Sequence, residues 1–224
     1  MSNIAKEEYL YVQQNQKVPV NNRLSYLAAK RFVDIVGSLA GIILLSLLFL
    51  IVAALIKLED PKGSIFFSQK RVGKNGRQFN MYKFRSMVSN AEEKLQELLQ
   101  YNEVSGAMFK MKDDPRITKI GKFIRKTSID ELPQLFNVLK GDMSLVGPRP
   151  PLPREVEEYS DYDKQRLLVT PGCTGLWQVS GRSNIGFKEM VDLDLMYIRK
   201  RSLLFDIKII LKTVLVLFGS KDAF

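Results

Sequence analysis

The stretch that decides the fold is IVGSLAGIILLSLLFLIVAALI, residues 35–56, which runs 22 residues without a charge. Its only members that are neither aliphatic nor aromatic are Gly37, Ser38, Gly41 and Ser46. As a helix it measures about 33 Å at ~1.5 Å per residue, close to the ~30 Å hydrocarbon core of a bilayer. A helix in a soluble core seldom runs this long without a polar stripe. A signal peptide fits poorly: 34 residues precede the run, and Lys57-Leu58-Glu59-Asp60 follow where a cleavage site needs small residues. The reading is a membrane-inserted helix.

Working outward, the flanking charges argue against one straight span. Lys30 and Arg31 precede the run, and residues 62–86 carry Lys62, Lys70, Arg71, Lys74, Arg77, Lys83 and Arg85 with no acid among them. Both flanks ask for the cytoplasmic side, which a single crossing cannot satisfy. A re-entrant helix that dips into one leaflet and returns satisfies both. Gly37 and Gly41 also match the small-xxx-small pattern by which membrane helices pair, compatible with a homo-oligomer. Three regions follow: a flexible polar arm over 1–29, a membrane-inserted helix over 30–58 and a cytoplasmic-face domain over 59–224.

Composition narrows the chemistry. The 224 residues contain no histidine, so Ser-His-Asp and Cys-His nucleophile systems and His-ligated metals are excluded. A single cysteine, Cys173, excludes an intramolecular disulfide and a cysteine-rich cluster. Acid, base and nucleophile must come from Asp, Glu, Lys, Tyr, Ser or Thr, and any metal should be a hard ion held by oxygens, foremost Mg²⁺. Lys and Arg total 34 against 24 Asp and Glu, a net charge of +10. By region the net charge is +2 over 1–34, +7 over 57–149 and +1 over 150–224. The basic excess lies beside the membrane segment, where it attracts anionic headgroups and phosphorylated ligands. The competing reading is a solvated basic face that only adheres.

Periodicity places the remaining elements. Residues 64–84 alternate around Gly73-Lys74-Asn75-Gly76 and predict a hairpin. Ala91–Tyr101 reads as helix, and Arg116–Lys126 as an amphipathic helix able to face phosphates. A further helix is expected from Asp130 to Leu139, stopping at Gly141, and another from Glu155 to Leu168. Residues 147–153 hold four prolines and form a rigid connection, and residues 170–187 read as a loop. Leu203–Phe218 is an apolar helix that either lies on a bilayer surface or packs in the core.

Three segments carry candidate chemistry. Thr127-Ser128-Ile129-Asp130-Glu131-Leu132-Pro133 puts two carboxylates near a helix start, since Pro133 is tolerated only there. A carboxylate so placed stays ionised, as a nucleophile or Mg²⁺ ligand must. The same spacing from Ser128 to Glu131 is also a capping box, and on pattern alone capping is the commoner explanation. Next, Arg149 stands between Pro148 and Pro150, which presents its guanidinium in a fixed pose suited to a phosphate. Last, Pro171-Gly172-Cys173-Thr174-Gly175-Leu176-Trp177-Gln178-Val179-Ser180-Gly181-Arg182 either binds a nucleotide or sugar or closes over the core as a turn-rich loop.

Six segments together resemble the bacterial sugar transferases, the monotopic polyprenyl-phosphate sugar-1-phosphate transferases. They are Lys30-Arg31-Phe32-Val33-Asp34, Tyr82-Lys83-Phe84-Arg85-Ser86-Met87, Asp114-Pro115-Arg116-Ile117-Thr118, Arg125 to Gln134, the segment ending Gly147-Pro148-Arg149-Pro150, and Pro171 to Arg182. The resemblance covers residues 30–218. It implies transfer of a sugar-1-phosphate from a UDP-sugar to polyprenyl (undecaprenyl) phosphate, releasing UMP. The product, a polyprenyl diphosphate-sugar, begins exopolysaccharide or capsule assembly. Carried over, Asp130 is the nucleophile that forms a phosphosugar intermediate, and Glu131 assists as a base or by orienting Mg²⁺. Both residues would be metal ligands. Lys83, Arg85 and Arg149 would bind phosphates and Arg182 the nucleotide sugar. One departure stands out: the family's membrane helix usually carries a Ser-Pro pair that turns it back, whereas here Leu47 follows Ser46.

The expected fold is therefore α+β: a membrane-embedded re-entrant helix, then a mainly helical catalytic domain with a short β-hairpin and membrane-surface helices. The expected partners are a UDP-sugar, polyprenyl phosphate and the bacterial cytoplasmic membrane, with no nucleic acid. A membrane-tethered basic module for anionic lipid or nucleic acid is the alternative, but it leaves Asp130 to Arg182 without a purpose. A glycosyltransferase that releases UDP is a third reading.

Overall fold

The apolar run is helical and bent. In the computed structural model, which describes residues 17–98, 111, 113–181 and 185–219, helix α1 (Leu24–Leu44) and helix α2 (Ser46–Glu59) meet at Leu45 with a 60° bend. Among the described residues no single helix is long and apolar enough to cross a membrane, and the bent pair meets that test only as a pair. The bend needs no proline. Leu45 keeps its N–H on Gly41 (3.0 Å) and its carbonyl on Phe49 N (2.9 Å), and the deviation sits in its ψ of 8°. Packing on the domain holds the bend: Leu48, Phe49, Val52 and Ile56 of α2 rest on Phe84 and Ile124.

Helix α1 is moored by polar groups. Lys30 Nζ donates to Asp206 Oδ2 (2.7 Å) and to the Val146 carbonyl (3.1 Å). Arg31 donates to the carbonyls of Val138 (2.5 Å) and Leu139 (2.7 Å). Asp34 Oδ1 accepts from Ser144 Oγ (3.0 Å) and Leu145 N (2.9 Å). Gly37 and Gly41 let the helix approach: a Cβ there would stand 2.7 Å from Leu145 Cδ1 and 3.1 Å from Leu135 Cδ1. The small-xxx-small pattern is thus used within one chain. Away from the domain, Phe32, Ile43, Leu44, Leu47 and Leu50 are exposed.

The predicted hairpin is present. Strands β1 (Phe66–Val72) and β2 (Gln78–Phe84) pair antiparallel, Phe66 opposite Phe84, through a turn with Asn75 and Gly76 at positive φ. Helix α3 (Ala91–Leu98) fills the described part of the expected 91–101 helix; the remainder lies outside the described residues. Helix α4 (Lys119–Lys126) starts at Thr118, whose Oγ1 accepts from Gly121 N (2.8 Å). Helix α5 (Gln134–Lys140) ends at Gly141, φ 90°, where expected, but begins four residues later than expected. The single helix expected over 155–168 is broken. It is replaced by α6 (Pro153–Glu157), α7 (Asp161–Lys164) and a 3₁₀ turn (Gln165–Leu168), because Ser160 and Asp163 cap each other's main chains and start a new helix.

Strands β3 (Ser144–Val146) and β4 (Gly172–Thr174) form a short parallel pair, so the stretch read as a loop contains a strand. Helix α8 (Phe187–Lys200) and helix α9 (Leu203–Gly219) complete the domain. One face of α9 packs in the core, with Asp206 and Ile209 buried, while Leu204, Ile207, Leu211 and Leu215 on the other face are exposed. The main core gathers Val146, Val169, Val179, Val191, Leu195 and Ile198 around Val18. The described part of the N-terminal arm is therefore docked. Val18 N donates to Gln165 (2.7 Å), and Arg201 donates to Asn21 O and Asn22 Oδ1.

Candidate active site

Two elements bring the candidate groups together. Strand β2 supplies Lys83, and its free edge is held by buried Asn137 of α5 in place of a third strand. Asn137 Oδ1 accepts from Tyr82 N (2.9 Å) and its Nδ2 donates to the Asn80 carbonyl (2.7 Å). Facing it, the chain leaves α4 through Ser128, a non-glycine residue at φ 56°. A left-handed residue of this kind costs on the order of 1 kcal/mol and reverses the chain sharply. The turn that follows, Ile129–Glu131, is a single 3₁₀ turn carrying both carboxylates. Ser128 makes no side-chain cap, so the capping box is not formed, and Asp130 and Glu131 stand ahead of α5 rather than in its first turn.

Lys83 Nζ lies 2.6 Å from Glu131 Oε1 and 3.6 Å from Asp130 Oδ2. Burial raises the Asp130 carboxyl, Lys83 and Arg125 pull it down, and the net lies above the ordinary aspartate value. Burial also acts upward on Glu131, but Lys83, Arg149 and Arg71 outweigh it and hold that carboxyl below its usual range. The split follows the cations, since Lys83 lies nearer Glu131 than Asp130. Two adjacent carboxylates with values driven apart have distinct roles open to them. The enclosed Asp130 is the more basic and less solvated.

Asp130, Glu131, Lys83 and Arg85 line one cleft of about 1450 Å³. Arg125 and Arg154 line it too, so its polar end is strongly cationic, while Val33, Ile210 and Val214 line an apolar stretch. Arg125 belongs to the amphipathic segment expected to face phosphates, whereas no spacing marks Arg154. Arg85 is engaged with the end of α2: Nη1 lies 2.5 Å from Asp60 Oδ2 and Nη2 3.0 Å from the Asp60 carbonyl. Arg149 is not in the cleft wall; it sits 3.3 Å from Glu155 and within electrostatic reach of Glu131. Arg182 lies outside the described residues.

The loop bearing Arg149 is held by its carbonyls. Pro148 accepts from Gly172 N (2.9 Å), Pro150 from Arg71 Nη1 (3.1 Å) and Pro151 from Val72 N (2.9 Å). Arg71 is buried, and desolvation beside Arg149 brings its guanidinium down to about 10. Two crowded arginines favour an anion between or near them.

For Mg²⁺ the donor set is limited. Among the described residues no group of three or more Asp, Glu or Cys is arranged to hold an ion. Two carboxylates do fit an Mg²⁺ that takes its other ligands from substrate phosphates and water, which is how this ion is usually held in phosphoryl-transfer sites.

The chain belongs to the bacterial sugar transferase family, which it matches over residues 25–220. It is 54% identical over 200 residues, 88% of this chain, to the galactosyl transferase CpsE of Streptococcus agalactiae, covering 44% of that protein. It is 47% identical over 199 residues, 87% of this chain, to the undecaprenyl-phosphate galactose phosphotransferase of Salmonella typhimurium, covering 41% of it. The exopolysaccharide production protein ExoY of Sinorhizobium fredii is 42% identical over 190 residues, 83% of this chain and 84% of ExoY. The chain thus spans less than half the length of the first two relatives.

Proposed function

We propose that this chain transfers a sugar-1-phosphate from a UDP-sugar to undecaprenyl phosphate, opening exopolysaccharide or capsule synthesis. The observation that carries this reading is the Asp130–Glu131–Lys83 cluster at the cationic end of the cleft. A tethered lipid or nucleic-acid binder has no use for a buried carboxylate beside a second one, both facing Lys83. Asp130 attacks the phosphorus that bears the sugar. The bond from that phosphorus to the bridging oxygen breaks, and the oxygen leaves with its electron pair as part of UMP. An oxygen of the polyprenyl phosphate then attacks the same phosphorus, the acyl-phosphate bond breaks, and Asp130 is released as a carboxylate. Lys83 orients both carboxylates and offsets their charge as the donor enters. Arg85, Arg125 and Arg154 supply cationic walls; Arg149, which does not line the cleft but acts electrostatically on Glu131, would serve the phosphates and Arg182 the nucleotide sugar. Asp130 and Glu131 would hold Mg²⁺, which when bound neutralises diphosphate charge.

The bent pair α1–α2 would enter one leaflet and return, keeping the domain on the cytoplasmic face. Its exposed apolar side chains and the exposed lysines at and beyond its end, Lys57, Lys62, Lys70 and Lys74, support that reading. The test is nucleotide release. Purified protein in nanodiscs receives undecaprenyl phosphate, Mg²⁺ and a panel of UDP-sugars, UDP-galactose first because two relatives carry galactose or galactosyl in their names. UMP release with one sugar supports the proposal. UDP release identifies an ordinary glycosyltransferase.

A further inference from the structure

Arg166 and Asp194 form an ion pair in which both side chains are 0% exposed. Arg166 Nε donates to Asp194 Oδ2 at 2.8 Å, Nη2 lies 2.6 Å from the same oxygen, and Nη1 donates to Tyr159 OH at 2.8 Å. Nη2 also reaches the Arg149 carbonyl, at a longer 3.4 Å. Asp194 Oδ1 is buried with no hydrogen-bond partner, and the Arg149 N–H is among the groups that pull on this carboxylate. The pair therefore reaches the main chain of Arg149 through its carbonyl. Burying two charges this completely returns little stability compared with an apolar packing of the same volume. The carbonyls of Pro148, Pro150 and Pro151 are each taken by another part of the domain. The carbonyl of Arg149 is taken by Arg166.

We propose that the Arg166–Asp194 pair is a positioning device for Arg149, setting the main chain from which its guanidinium reaches the donor phosphates. The inference rests on the reading of Arg149 given under Proposed function. Neither member touches substrate; the effect passes through the loop. A lysine at 166 can keep a charge opposite Asp194, but it lacks the planar fork that serves Asp194, Tyr159 and Arg149 at once.

Two measurements on the full chain in nanodiscs test it. Hydrogen exchange in a peptide spanning Gly147–Leu152, where three prolines leave few amides, should quicken about tenfold in Arg166→Lys while β1 and β2 stay protected. In parallel, kcat/KM for UMP release is measured for wild type, Arg166→Lys, Arg149→Ala and the double variant. Arg166→Lys should cost roughly tenfold to a hundredfold, the scale of a small misplacement, and nothing further once Arg149 is gone. An equal loss in both backgrounds, or unchanged exchange in the loop, overturns the proposal. Tyr159→Phe, which removes only the hydroxyl on Nη1, should show the same pattern more weakly and serves if Arg166→Lys fails to fold. If Arg149→Ala leaves kcat/KM unchanged, the reading of Arg149 itself fails, and loop exchange still decides for or against the clamp.

Discussion

Replacing Gly121 with alanine should displace the turn that carries Asp130 and Glu131 without touching it. A Cβ at residue 121 would lie 1.9 Å from the Ser86 carbonyl oxygen, where real Cβ contacts do not fall below 3.0 Å. Helix α4 must therefore retreat from the end of β2 by at least about 1 Å (3.0 − 1.9). That retreat stretches the bond from Thr118 N to Ser86 O, now 3.1 Å. Overpacking costs about 1–3 kcal/mol and the strained hydrogen bond about 1 kcal/mol. Helix propensity returns about 1 kcal/mol when Gly becomes Ala. The net is a loss of about 2 kcal/mol, or roughly 4–8 °C in melting temperature for a chain of this size. The same shift carries Ser128 and Asp130 away from Lys83, and a 1 Å error at reacting groups costs about a hundredfold in turnover. Thermal melts and UMP release, measured on one preparation, check both figures. A Gly121→Ala protein as stable and as active as wild type refutes the contact between α4 and β2 on which the site's geometry rests.

Lys83→Met removes the largest cationic influence on both carboxylates, so both move upward. Asp130 must be ionised to attack, so the acid limb of the kcat/KM profile should shift to higher pH, and Lys83→Arg should restore it. For stability the signs differ: the lowered Glu131 value contributes above the unfolded glutamate range and is lost as pH falls through the folded value, whereas raised Asp130 opposes folding once ionised. Lys83→Met should accordingly be less stable than wild type at pH 7, with the difference narrowing in acid, as pH-dependent melts would record. Gly37→Leu drives a side chain into Leu145, 2.7 Å from the would-be Cβ, and should cost about 1–3 kcal/mol in a denaturant melt without changing the oligomeric state. Cysteines placed at Asn22 and Lys62 should both react with an impermeant reagent from the cytoplasmic side in oriented vesicles. Native Cys173 is half-buried and lines the cleft, so it is first replaced by serine. Labelling from opposite sides would establish a crossing helix.

Much of the site was legible because its signals are local. The hairpin follows from alternation about Gly73–Gly76, the stop at Gly141 from glycine's freedom at φ 90°, and the rigid pose of Arg149 from its two prolines. What escaped depends on contacts between distant segments. The bend at Leu45 has no breaker residue and follows from packing of α2 on Phe84 and Ile124. Ser128 adopts a conformation usually left to glycine, and nothing in its neighbours announces it. Lys30 reads as a topology charge but is buried against Asp206, 176 residues away. Arg85 reads as a phosphate ligand, and the structure engages it with Asp60 at the end of α2.

The most direct measurement is a single turnover without acceptor. Protein in nanodiscs, mixed with the matching UDP-sugar and Mg²⁺ but no polyprenyl phosphate, should release UMP in an amount approaching the enzyme present. Intact-protein mass spectrometry should then find the chain heavier by one phosphosugar, mapped to Asp130, and added polyprenyl phosphate should discharge it. Asp130→Asn should show neither UMP nor adduct. Turnover with acceptor, but no UMP burst and no adduct before acceptor is added, would contradict the assignment of Asp130 as the nucleophile and require direct transfer between the two substrates.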